Sequence, residues 1–325
     1  MNRRVKKDSG FALLMTLMLV LLLAGVLVGL AWQSAAGALE AEDAVEELQR
    51  RWAVTSCQAT LLDKAEKVIG DAEEAANRGR SSWTPIAKAR IACQLAGRDY
   101  ELVFTDEQAK LNVNRLLRTT DLSQARAIVA RLVQMPGSVS VRLREQSAPS
   151  RPGLPATRAS IGAYGQVFDG ASPDQFVSGL VDAVTCWGSG RINVHRAADA
   201  VLAQACAGTL GAADLNALLA ARRRDPSCEL DVLLGQLAAI DEKQKARLRA
   251  DLTDQSECHG LWVVARSPQR AWHSLVIGLT GGATGGTQVR STASRGRQRL
   301  PETGAATRPA GAADGGRRPE YRFTW

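Results

Sequence analysis

Residues 1–32, MNRRVKKDSG followed by FALLMTLMLVLLLAGVLVGLAW, decide how the rest of this chain is read. Arg3, Arg4, Lys6 and Lys7 make the first nine residues basic, Gly10 follows, and Phe11 to Trp32 is apolar with Thr16 as its only hydroxyl or charged interruption. An apolar run of this length spans a bilayer as one helix. A secretory signal has a shorter apolar core closed by small residues at a cleavage site, whereas here the glycine precedes the run and nothing like A-x-A ends it. Cleavage after Gly10 leaves the apolar helix on the mature chain. The basic leader predicts an amino terminus in the cytoplasm and the remainder outside it. Gly25 and Gly29 form a small-xxx-small pair through which a second helix can approach.

The G-FALLMTLMLV layout resembles the type III signal of type IV pilins and of the pseudopilins of type II secretion. The resemblance implies a prepilin peptidase that cuts between Gly10 and Phe11 and methylates Phe11. Most members carry a glutamate at the fifth mature position, where it neutralises the amine of the subunit above; here that position is Met15. A carboxylate inside a membrane is kept only where it has a partner, so its absence points to a tip subunit. Among pseudopilins that pattern is similar to the largest minor member, the general secretion pathway protein K family.

The 325 residues leave room for the anchor plus about two domains. The net charge of +8 is concentrated in a tail with seven arginines between Gln288 and Arg318, whereas Glu40 to Glu74 is acid-rich. That distribution argues against a nucleic-acid groove, and no nucleic-acid partner is expected. Six cysteines suit an oxidising compartment; Cys206 with Cys228, flanking one predicted helix, is the preferred pairing. There is no C-x-x-C, and His195, His259 and His273 are scattered, so neither a metal nor a cofactor is expected.

Beyond Trp32, Leu48, Trp52, Ala59, Leu62 and Ala65 keep helical spacing, which predicts a stalk ended by Gly70-Asp71 and the polar stretch through Arg80. Ala89, Ile91, Cys93 and Leu95 alternate, Gly97-Arg98-Asp99 turns the chain, and Tyr100, Leu102 and Phe104 alternate again, a hairpin. Helical segments follow, capped or opened at Asp121, at Ser172-Pro173 with Phe176, Leu180 and Val184 at four-residue spacing, and at Ala197, Ala212, Glu229 and Asp241. Leu261 to Ala265, Ala271 to Gly278 and Tyr321 to Trp325 read as closing strands. Glu145 to Thr157 and Thr280 to Pro319 read as loops.

Two segments join these parts. Asp106-Glu107-Gln108-Ala109-Lys110-Leu111-Asn112-Val113-Asn114 resembles the acidic-pair and N-x-N signature of the protein K family, with Gln108-Ala109 as a departure. Cys186-Trp187-Gly188-Ser189-Gly190-Arg191-Ile192-Asn193-Val194-His195-Arg196-Ala197 resembles its second signature. There Asn193 and Ala197 match, while His195 and Arg196 replace asparagine and threonine. Asparagines at these places suit strand-to-helix junctions, so Asn112, Asn114, Asn193 and Ala197 are assigned a structural role. Asp106-Glu107 reads as an exposed acidic pair at an element end, and Arg222-Arg223-Arg224 as a solvated helix end.

The expected class is α+β: a pilin-like long amino-terminal helix packed on an antiparallel sheet, with a large inserted all-α unit, SAM-like by the resemblance. The expected organisation is leader 1–10, membrane half of the helix 11–33, stalk and first hairpin 34–113, inserted helical domain 114–253, and closing strands 254–325 with a disordered loop at 280–319. No catalytic motif is present, and an enzyme is not expected. The resemblance implies a minor pseudopilin that starts or caps the periplasmic pseudopilus from a single span in the inner membrane, with its bulk in the periplasm. Its partners would be other minor pseudopilins, the peptidase and lipid. The alternative is a signal-anchored DNA- or ligand-binding module built on a helix-hairpin-helix-like unit around Val201 to Arg222.

Overall fold

No proline or turn signal separates the apolar run from the charged stretch after it, and the chain forms one helix, α1 (Asp8–Leu61). The structure, a computed structural model, describes residues 8–143, 160–237, 239–266, 270–279, 288–292 and 298–299. It divides into two units, Met1–Ala53 and Val54–Trp325. In the first, every side chain from Phe11 to Val45 is exposed. This helix is long and apolar enough to cross a membrane. Most of the leader, residues 1–7, lies outside the described residues.

In the second unit a 3-10 turn at Leu62–Lys64 interrupts the helix, and α2 (Ala65–Asn77) resumes it. The stalk ends within the expected stretch from Gly70-Asp71 through Arg80, past the glycine itself. A glycine costs a helix only about 1 kcal/mol, and Asn77 supplies the real end. Its Nδ2 donates to the carbonyls of Glu73 and Thr84, each at 2.9 Å, and its Oδ1 accepts from Thr84 N at 2.7 Å.

The hairpin forms as β1 (Lys88–Leu95) and β2 (Arg98–Asp106). Its two-residue turn is Ala96-Gly97, both at positive φ (51° and 77°), one residue earlier than the glycine-led turn expected. Residues 107–257 are then inserted between β2 and the strand that pairs with it. The insert runs β3 (Leu111–Asn112), α3 (Val113–Thr119), α4 (Leu122–Leu132), β4 (Ser140–Val141), β5 (Phe168–Asp169), α5 (Pro173–Gln175), β6 (Val184–Thr185) and β7 (Ile192–Asn193). It continues through α6 (Asp199–Cys206), α7 (Ala212–Arg224), α8 (Leu230–Gly235), α9 (Glu242–Asp251) and β8 (Leu252–Thr253). It is helical as expected, with three two-residue ladders set among the helices: β3 with β6, β4 with β5, and β7 with β8.

Local signals set several of these boundaries. Asp121 caps α4 through Gln124 N at 2.8 Å. Ser172 and Asp241 form capping boxes with Gln175 and Gln244. The segment opened at Ser172-Pro173 does not carry Val184 as expected, because Gly179 breaks it at φ 150° and Val184 passes into β6.

The chain returns as β9 (Cys258–Arg266), β10 (Arg270–Leu279), β11 (Gln288–Thr292) and β12 (Gln298–Arg299). The sheet order is β1-β2-β9-β10-β11, antiparallel throughout, with β12 also on β10. Two stretches of the expected 280–319 loop are thus strands. A segment poor in apolar side chains can still pair its backbone with a free sheet edge. The rest of that loop, the Glu145–Thr157 loop and the Tyr321–Trp325 strand lie outside the described residues.

The pairing register sorts the sheet into two faces. Val103, Trp262 and Leu275 lie opposite one another on one face and join the core of the insert, where Tyr164 stacks on Trp262 with ring centroids 6.3 Å apart. Phe104, Leu261 and Val276 share the other face, against which α2 sets Ala65 and Ile69, both fully buried. A Cβ at Gly278 would lie 2.8 Å from Leu62, so the glycine admits the helix. Burial on both sides explains why β9 reads as a nearly continuous apolar run rather than an alternating one.

Candidate functional site

At the end of β2 the chain places two acids side by side, and alternation sends them to opposite faces of the sheet. Both are buried, Asp106 at 0% and Glu107 at 1% exposure, which corrects the expectation of an exposed acidic pair. Burying a carboxylate is costly unless hydrogen bonds or a cation compensate it, and each of these acids has both.

Glu107 faces the insert. Its Oε1 accepts from Thr105 Oγ1 at 2.7 Å and from Lys110 Nζ at 2.6 Å; its Oε2 accepts from Thr185 Oγ1 at 2.5 Å and Tyr164 OH at 3.1 Å. Burial works against the charged carboxylate, but Lys110 and the hydroxyls outweigh it and hold the group below the usual glutamate range. Lys110 is itself 2% exposed.

Asp106 faces the helix side. Its Oδ1 accepts from the backbone of Gln108 and Ala109 at 2.9 and 3.2 Å, capping the turn that follows. Its Oδ2 accepts from Ser256 Oγ at 2.6 Å and lies 3.6 Å from Arg196 Nη1. Burial dominates over these partners and raises its pKa.

Arg196 collects three acids. Besides Asp106, its Nη1 is 2.6 Å from Glu66 Oε2 and its Nε 3.5 Å from Glu73 Oε2, both on α2. Glu66 Oε2 also lies 2.9 Å from His259 Nε2. Burial opposes the Glu66 carboxylate, yet the hydrogen bonds from His259 and Arg196 bring its pKa down to about 2. Glu73 is raised, by burial first, despite the backbone of Ile86 and Arg196.

The four asparagine-motif residues hold this arrangement together. Asn112 caps α3 by accepting from Arg115 N at 3.0 Å and donates to Trp187 O at 2.7 Å, tying the first motif to the second. Asn114 donates to Ile161 O and Cys186 O at 2.8 and 2.7 Å and accepts from Ile161 N. Asn193 Oδ1 accepts from the backbone of His195 and Arg196 at 2.9 and 3.3 Å, and so presents Arg196 to the acids. Ala197 is fully buried beneath Arg222, which donates to its carbonyl at 2.6 Å.

Gly10 and Phe11 lie in the first turn of α1, with Phe11 70% exposed, and a Cβ on Gly25 or Gly29 would meet nothing within 4 Å. Cys206 and Cys228 are both buried and unbonded thiols, so the preferred pairing is not formed in this structure. Arg222 is not part of a solvated helix end: it is 1% exposed, donates to Val194 O at 2.9 Å and pairs with Asp199, which Arg223 also meets. With Arg222 committed inward, the basic cluster of the DNA-binding alternative loses its first member. Among the described residues, no group of three or more His, Cys, Asp or Glu is arranged to hold a metal ion.

Sequence reading did not single out Glu66, Glu73, Lys110, Arg196 or His259 as a group. The available signal was Arg196 itself, a charged departure inside the second motif. The arrangement locks the insert, the sheet and α2 to one another through ion pairs, of which Glu107–Lys110 and Arg196–Asp106 are buried.

No protein-family model and no curated protein sequence matches this chain. Among solved structures, a chain of the GspK-GspI-GspJ complex from the type 2 secretion system of enterotoxigenic Escherichia coli is similar to it. The two are 17% identical, the match covers 80% of this chain and 99% of that one, and the TM-score is 0.47.

Proposed function

We propose that this chain is a non-enzymatic minor pseudopilin of a type II secretion system, which starts or caps the tip of the periplasmic pseudopilus and so supports protein export. The observation that carries the reading is Gly10-Phe11 opening a helix that is apolar to Trp32 and exposed from Phe11 to Val45. Such a surface is not stable in water and needs lipid or neighbouring helices around it. Gly25 and Gly29 leave room for those helices.

In this reading residues 1–10 are a leader removed by a prepilin peptidase, Phe11 becomes the methylated amino terminus, and residues 11–33 hold the chain in the inner membrane. The cytoplasmic end is the amino terminus, and the bulk lies in the periplasm. Residues 34–113 and 254–325 form the pilin-like part, and 114–253 is the tip domain. Met15 in place of an acid suits a subunit with no neighbour above it. Bulk in the insert suits a tip as well, because side contacts there do not continue a helical stack. The partners are other minor pseudopilins.

The test is coexpression of the full chain with a prepilin peptidase, followed by intact mass and amino-terminal sequencing from membranes. The expected product starts at N-methylated Phe11 and co-purifies with small pilin-like subunits. An uncut chain that begins at Met1 removes the mechanism.

A further inference from the structure

All six cysteines are thiols in this structure, and two of them touch. Cys57 lies near the end of α1, at helical spacing from Leu62, Ala65 and Ile69 on the stripe that is buried in the second unit. Cys93 lies on β1, the outer strand of the sheet. It alternates with exposed Ala92 and Gln94 and shares its face with Ala89 and Phe104. The two side chains are 3% and 9% exposed and hydrogen-bonded to each other. The Cys57 thiol donates. That bond, then burial, pushes Cys57 far above the usual thiol range, while accepting it draws Cys93 below. A thiol drawn down by its neighbour is the better attacking group.

We propose that Cys57 and Cys93 form a disulfide that staples the end of α1 to the outer strand of the sheet. The staple rests on the reading that this part of the chain is exported to an oxidising compartment. The Cys93 thiolate attacks one sulfur of an oxidised carrier, a disulfide-bearing oxidoreductase or oxidised glutathione, and forms a mixed disulfide while the other carrier sulfur leaves as thiolate. The Cys57 thiol loses its proton to solvent, and its sulfur displaces the second carrier thiolate. Two thiols have then given up two protons and two electrons, and the carrier has become a dithiol. Both sulfurs are covered once the helix is seated, so the bond forms as β1 closes onto it. The loop it closes carries α2 and the chain up to β1, and closure of such a loop restricts the unfolded chain.

The test uses the full chain taken from membranes into detergent, acid-quenched, blocked with N-ethylmaleimide and digested with trypsin without reduction. A cross-linked species of residues 52–64 joined to 91–98 is expected, lost on treatment with dithiothreitol and in C57A or C93A. A second portion is reduced and reoxidised with oxidised glutathione. A link in both portions supports the staple. A link only after reoxidation supports the pairing and counts against export. Its absence from both overturns the proposal. Dithiothreitol should also lower the thermal midpoint of the wild-type chain by about 5 °C and leave C57A/C93A unmoved; an equal drop in the double variant counts against the staple.

Discussion

Arg196 Nη1 lies 2.6 Å from Glu66 Oε2, across 130 positions of sequence. The contact ties the second asparagine motif of the insert directly to α2, and the same guanidinium reaches Glu73 and Asp106. One cation therefore faces acids from two other elements, with His259 beside one of them. Glu66 is half exposed, but removing the cation also leaves the buried Asp106 and Glu73 carboxylates uncompensated, which costs more than an exposed pair is worth.

Replacing Arg196 by Met should lower the unfolding free energy by about 3 kcal/mol, read by urea denaturation of the full chain in detergent. R196K should recover only part of the loss, because an ammonium is a point donor where the guanidinium meets Glu66 and Glu73 through different nitrogens. Full recovery by Lys would show that charge alone, rather than the fork, is needed.

On the other face, Lys110→Met should cost about 3 kcal/mol near neutral pH, since Glu107 keeps its hydroxyl donors but loses its counter-charge. Without Lys110, burial raises the Glu107 pKa, so the folded variant holds a proton that the unfolded chain has released. Stability of the variant relative to wild type should thus improve as pH falls. A cost independent of pH would sink this account.

Two carboxylates beside Arg196 should titrate with opposite signs. Glu66 is drawn down from 4.5 to about 2, so its contribution is complete above the unfolded value and is lost as pH falls from about 4.5 towards 2. The gap between wild type and E66Q should close across that window. Asp106 is raised above 3.8, so the folded state retains the proton longer and stability falls as pH climbs through that region. D106N should therefore gain on wild type as pH rises. Denaturant midpoints measured from pH 2.5 to 7 test both slopes.

Gly260 lies beneath the Glu107 network at the start of β9. An added Cβ would sit 2.5 Å from Thr105 Oγ1 and 2.9 Å from Glu107 Oε1. G260A should cost about 1–3 kcal/mol by displacing those two groups. G25A should leave the unfolding midpoint of the second unit unchanged, because space around Gly25 is open. Urea melts of both variants distinguish crowding from a general intolerance of glycine substitution.

Local rules read much of the scaffold correctly. The caps at Asp121, Ser172 and Asp241 depend on a side chain and a backbone amide three residues away, and the first hairpin on alternation across a tight turn; both are written in contiguous sequence. The asparagine motifs announced their junctions for the same reason.

The sequence by itself determined the long apolar helix behind Gly10, the α+β class, the helical insert and the places where its helices begin, because each follows from spacing or from a cap within one turn. Only the tertiary structure decided that Asp106 and Glu107 are buried on opposite faces, that Arg222 points inward, and that Arg196 meets acids on α2. Those choices come from desolvation and charge pairing between segments tens to more than a hundred residues apart, and no local pattern encodes which distant partner will compensate a buried charge.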